Sequence, residues 1–167
     1  MESKANPAGF AAAVIARVKT DTAFRAVMSR ADNPAFESAA WEYLIPYCNI
    51  NNDFERIPFA LIGAAIARIR PEKDGNAEIG AAFDSICSSQ EDRERESIRF
   101  RRLIACDSVL DICTVIRPIL QYLASKGASI NFSQLLNDLI YWNQRTKIRW
   151  TSQFYQQHSP KNEESQL

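Results

Sequence analysis

Along most of this chain the apolar residues return every third and fourth position, and no stretch alternates as a half-buried strand would. Phe54, Ile57, Pro58, Leu61, Ile62, Ala65, Ile66 and Ile69 trace one such stripe; Val109, Ile112, Cys113, Ile116, Leu120 and Leu123 trace another. Stripes of that width must be buried against other helices, so the spacing predicts an all-α fold. Start signals agree. Asn6-Pro7 and Asn33-Pro34 put a capping side chain before a proline at the first helical position, Asp107 precedes one periodic run, and Asn131 precedes Phe132, Leu135, Leu136, Leu139 and Ile140.

The pattern divides into about nine helices, near 7 to 19, 21 to 31, 34 to 47, 54 to 69, 78 to 88, 92 to 105, 108 to 125, 132 to 143 and 145 to 156, forming a compact bundle of two helical lobes. Gly127 is a helix stop, and Pro118, inside a helical pattern, predicts a kink because it removes a backbone bond. The polar, turn-rich stretch Arg70-Pro71-Glu72-Lys73-Asp74-Gly75-Asn76 is the expected boundary between an N-terminal subdomain, 1–76, and a C-terminal one, 77–157. Residues 158–167 are polar, show no apolar face, and are expected to form a flexible tail.

Several function classes lack the residues they need. The single histidine, His158, falls in that polar tail, where it cannot supply the fixed geometry of a Ser-His-Asp or Cys-His arrangement. The 5 glycines form no phosphate loop, and no H-E-x-x-H motif or paired Cys/His metal spacing occurs. Cys48, Cys87, Cys106 and Cys113 form no C-x-x-C pair and are expected to be reduced thiols. Carboxylates such as Asp107 and Asp111 are as readily caps and ion-pair partners as catalysts. With no membrane-length apolar run and no secretory leader pattern, the expectation is a cytoplasmic protein; no cofactor or metal is expected, and a catalytic carboxylate pair stays open at this point.

Charge is the more informative property. The chain is formally neutral, yet residues 1–92 carry 9 basic and 13 acidic side chains, whereas residues 93–149 carry 10 basic and 5 acidic. Such asymmetry suggests an anionic partner for one half only. Arg95, Arg99 and Arg102 share one helical stripe while Phe100, Leu103 and Ile104 occupy another, so one side packs and the other stays wet. Arg145 and Arg149 repeat the pattern in the last helix. Two readings stand: guanidinium groups offered to phosphate, or a solvated face paired with Glu94 and Glu96. Trp142, Trp150, Phe154 and Tyr155 read as core anchors rather than stacking platforms. Arg68 and Arg70 end a helix, where the macrodipole favours cations whatever the function. Earlier in the chain Arg25 is the better candidate.

These residues also resemble the CasB family, the small subunit of the type I-E CRISPR Cascade surveillance complex. The likeness is carried by Arg99-Phe100, Leu103-Ile104 and Asp107, by Arg117, by Asn131-Phe132 opening a helix that ends at Tyr141-Trp142, and by Arg145, Lys147, Trp150 and Phe154-Tyr155. Thinner matches fall at Ala23-Phe24-Arg25-Ala26, at Trp41, Leu44 and Pro46, and at Ile79 to Phe83. The resemblance implies an all-helical, non-catalytic subunit that sits with a second copy of itself beside backbone and large subunits, and helps hold the target and displaced strands of an R-loop while guide RNA reads sequence. Carried onto this chain, it makes Arg25, Arg99, Arg102, Arg117, Arg145, Lys147 and Arg149 the expected nucleic-acid contacts. The alternative is a helical adaptor that meets only protein.

Overall fold

The structure, a computed structural model, describes residues 5–155. Nine α-helices occur among them: α1 (Pro7–Val18), α2 (Thr22–Met28), α3 (Trp41–Leu44), α4 (Asp53–Ile69), α5 (Ile79–Ser85), α6 (Gln90–Ile104), α7 (Val109–Ser125), α8 (Phe132–Ile140) and α9 (Gln144–Tyr155), with a 3₁₀ turn, Glu37–Ala40, leading into α3. The described residues contain no strand, only an isolated parallel bridge between Ala77 and Ile130. The fold is all-α, as the spacing predicts. The expected tail, 158–167, and His158 within it lie outside the described residues.

Helix starts follow local chemistry. Asn6, Asp21, Asn52, Ser89, Ser108 and Asn131 each accept a hydrogen bond from a backbone N–H of the first turn that they precede. The start expected at Asp107 is made one residue later by Ser108. Asn33 departs further: its Oδ1 accepts from Ala35 N at 3.0 Å, a local turn that competes with helix, and helical backbone begins only at Glu37. The continuous helix expected over 34 to 47 is therefore two short pieces. α7 runs through Pro118 from Val109 to Ser125, and Gly127, at φ 89°, follows its C-terminus in the left-handed backbone that glycine adopts freely.

α4 is the central pillar. From Pro58 to Ala67 every residue is buried, because small side chains at Ala60, Gly63, Ala64 and Ala65 let neighbours close on several sides. α1, α2, α7 and α8 pack around it, and α8 also packs on α1. Gly63 is where Met28 and Phe10 press in. α5 packs along α9 and meets α6, and an aromatic cluster of Phe83, Phe100, Phe154 and Tyr155 fills the space between them. Edge-on ring pairs of this kind are worth about 0.5–1.5 kcal/mol each beyond their buried area. Both groups share one continuous hydrophobic core.

The stretch after α4 is tied down. Arg70 caps α4 in left-handed backbone, φ 57°. Gly75 N and Ala77 N then donate to the carbonyls of Ile130 and Ser129 at 3.0 and 2.9 Å, and Asn131 N returns a bond to Ala77 O at 2.8 Å. The Asp74 carboxylate accepts from Phe132 N at 2.6 Å, from Ser133 N at 3.2 Å and from the Ser133 hydroxyl, joining the stretch to the first turn of α8.

Candidate nucleic-acid interface

The basic segment folds onto α6, α7 and α9. α6 and α9 run antiparallel: Arg93 Nη1 donates to Phe154 O at 2.8 Å at one end, and at the other Trp142 Nε1 donates to Cys106 O at 2.8 Å while Lys147 Nζ lies 3.0 Å from Asp107. α7 touches α6 through Tyr122, whose hydroxyl donates to the buried Glu96 carboxylate while the Arg99 guanidinium stacks 4.2 Å from its ring centroid. With Phe100, Leu103 and Glu96 turned inward, the outward face of α6 displays Glu94, Ile98, Arg101 and Arg102 and ends at the cap residue Ala105, and Ile98 is 57% exposed.

The expected contacts divide into two groups. Arg102 and Arg145 are exposed and Arg25 is partly so, and their side chains have no hydrogen bond or ion pair among the described residues. Arg25 stands apart on α2, which packs on α1 and α4. Four others are already engaged. Arg99 pairs with Glu96 at 3.3 Å, Lys147 with Asp107 at 3.0 Å, and Arg117 with Asp32 at 2.9 Å. Arg149 bridges Glu78 at 2.9 Å and Asp138 at 2.5 Å, and although partial burial opposes its charge, these carboxylates more than compensate and raise its pKa.

The carboxylates are as informative as the cations. Asp32, its side chain only 4% exposed, takes Arg68 at 2.8 Å and Arg117 at 2.9 Å on one oxygen. Burial works against its ionisation, but the two guanidiniums outweigh it and hold its carboxyl below the usual carboxylate range. Asp138 receives Arg149, Gln134 Nε2 and the indole N–H of Trp150, so α8 and α9 are locked through one buried acid. None of these hubs is visible as a sequence motif. Arg101 is absent from the expected contacts, although its place three residues after Ile98 puts it on the outward face of the same helix, and it has no side-chain partner among the described residues.

No group of three or more His, Cys, Asp or Glu among the described residues is arranged to hold a metal ion. The four cysteines are unpaired, and burial pushes the Cys48 and Cys113 thiols up to about 12, so both stay protonated and weakly nucleophilic. No helix of the described residues is long and apolar enough to cross a membrane. Trp150 and Phe154 are fully buried and Trp142 is tied to Cys106 O, the anchoring role expected of them.

The family described as CRISPR-associated protein Cse2 matches residues 13–155. The chain belongs to the Cse2 family. Among solved structures, the crystal structure of CasB from Thermus thermophilus is similar to this Cse2-family chain at a TM-score of 0.68 and 22% identity, covering 91% of this chain and 99% of that one. At that identity the likeness speaks for a shared fold. No curated protein matches this Cse2-family sequence. The family resemblance carried by Arg99 to Tyr155 thus agrees with the match, which extends back through α1 to residue 13.

Proposed function

We propose that this chain is the non-catalytic small subunit of a type I-E CRISPR Cascade complex, working in the cytoplasm, where it bridges backbone and large subunits beside a second copy of itself and holds target DNA and the displaced strand. Membership of the Cse2 family across residues 13–155 carries this reading. The exposed guanidiniums supply its chemistry. Arg101 and Arg102 on the outer face of α6, with Arg145 at the start of α9, are free to meet phosphate, and Arg25 offers a separate contact. Arg99 keeps donors to spare beside its pair with Glu96. Arg117, Lys147 and Arg149 we assign instead to positioning, since their carboxylate partners join helices to one another or to flanking loops. Arg is well suited to this work, because its planar fork binds two phosphate oxygens at once.

The test is the salt dependence of R-loop formation by the reconstituted complex. Replacing Arg101, Arg102 and Arg145 together by Ala should destabilise the R-loop, and should lower the slope of log affinity against log salt by about 0.7–0.9 for each phosphate that is no longer neutralised. The second reading, a protein-only adaptor, is favoured by the number of cations already matched to carboxylates. It expects an unchanged slope and assembly indifferent to nucleic acid.

A further inference from the structure

A cleft of about 760 Å³ opens between α4, α7 and the turn that follows α2. Its floor is largely apolar, with Ile57, Ala60, Leu61 and Pro118 contributing, and Arg117 stands on its wall. That volume lies within the ~300–1,000 Å³ typical of cavities that hold a compact ligand.

Polar groups give the cleft a direction. Arg117 gives only its Nε to Asp32, so both Nη groups have no acceptor among the described residues, and its side chain is 49% exposed. One turn earlier, Thr114 also lines the cleft, and Pro118 has no N–H to give to the Thr114 carbonyl. A fixed cationic donor therefore sits beside an apolar floor. Because Asp32 already orients the guanidinium, a partner meets it with little ordering cost.

The charges on the walls select the occupant. Arg56, Arg68 and Arg117 line the cleft with Asp32 and Glu37, and the acids are matched to these arginines, so a row of phosphates would meet only the Nη groups of Arg117 and gain nothing from the apolar floor. A purely apolar ligand would leave the Arg117 donors dry and unpaired. A protein segment with one carboxylate next to a bulky apolar side chain satisfies both. We propose that this cleft docks such a segment from a companion protein of the assembly, its apolar side chain on Leu61 and Pro118 and its carboxylate on the Nη groups of Arg117. The proposal rests on the chain working within an assembly, and does not require that it touch nucleic acid.

The test places a photo-crosslinking p-benzoylphenylalanine at Gln121, which lines the cleft and is exposed, in the full chain expressed in its native source. The complex is purified, irradiated, and its crosslinked peptides sequenced. The expected product is a companion-protein peptide with Asp or Glu within a few residues of a large apolar side chain. A synthetic copy of that peptide should bind the isolated full chain, and its amidated version, with the carboxylate replaced by a carboxamide, should bind at least tenfold more weakly. Arg117→Gln should cause a loss of similar size, and Thr114→Trp, which plugs the cleft and leaves the Asp32 pairs intact, should abolish binding. Crosslinks to guide RNA, to target DNA or to a second copy of this chain, no crosslink, or equal binding of the two peptides would each overturn the proposal. The Arg101, Arg102 and Arg145 substitutions should leave the crosslink in place, which separates failure of strand holding from failure of docking.

Discussion

Asp32 shows how one side chain can fix the roles of two others. Its carboxylate draws Arg68 from the end of α4 and Arg117 from the middle of α7 to a single buried point, across sequence separations of 36 and 85 residues. Its folded-state pKa is depressed, so its stabilising contribution is present above the unfolded carboxylate value near 4 and is lost as pH falls through the lower folded value. Asp32→Asn should cost about 2 kcal/mol at neutral pH, with the cost moderated because both arginines are partly exposed. Urea titrations of wild type and variant should differ by that amount above about pH 5 and converge in more acidic solution. A gap that stayed constant down to about pH 2 would remove the ion pairs from the explanation. At this scale the sequence is only half legible. Trp150 and Phe154 announce themselves as anchors through i, i+4 spacing, but nothing near Arg117 in the chain foretells a partner 85 residues away.

α5 and α9 approach each other closely at Gly80. A Cβ placed on Gly80 would lie 2.1 Å from Trp150 O and 2.8 Å from Gln153 Cβ, so backbone meets backbone there with nothing flexible to yield. Gly80→Ala should push the two helices apart and cost about 3 kcal/mol, the upper part of the range for overpacking a close approach. Calorimetry should register a drop of roughly 6–12 °C in Tm for a chain of this size. Unchanged melting would mean that α9 rides higher on α5 than this packing allows. The existence of the elements is largely legible: α1, α4, α6, α7 and α9 begin and end within two residues of the spans that apolar spacing and caps predict. The segment from Asn33 to Leu44 is not, because the Asn33 side chain satisfies Ala35 N locally and so removes the incentive to start a helix at Pro34.

Over the whole molecule, the segment that reads as a joint is fastened to α8. Asp74 caps α8 from 58 residues away, and the backbone bonds of Gly75 and Ala77 add two more fixings. Asp74→Ala should remove about 1–2 kcal/mol, in the range of other lost caps, and should expose the neighbouring Asn76–Ala77 bond to thermolysin, which cleaves before apolar side chains. Limited proteolysis should then cut between Asn76 and Ala77 about tenfold faster than in wild type. Equal rates would mean that Asp74 does not govern opening of this stretch. Composition alone could not reveal this, since Pro, Gly and Asp suit a loose linker and a pinned loop equally well. The pairing of so many cations with nearby acids has a last consequence. Opposite charges matched within a few ångströms cancel beyond about 8 Å at physiological ionic strength, so the molecule projects little attraction into bulk solvent. Under the function proposed above, a strand would then have to be delivered by neighbouring subunits, and the weak outward field would disfavour stray genomic DNA.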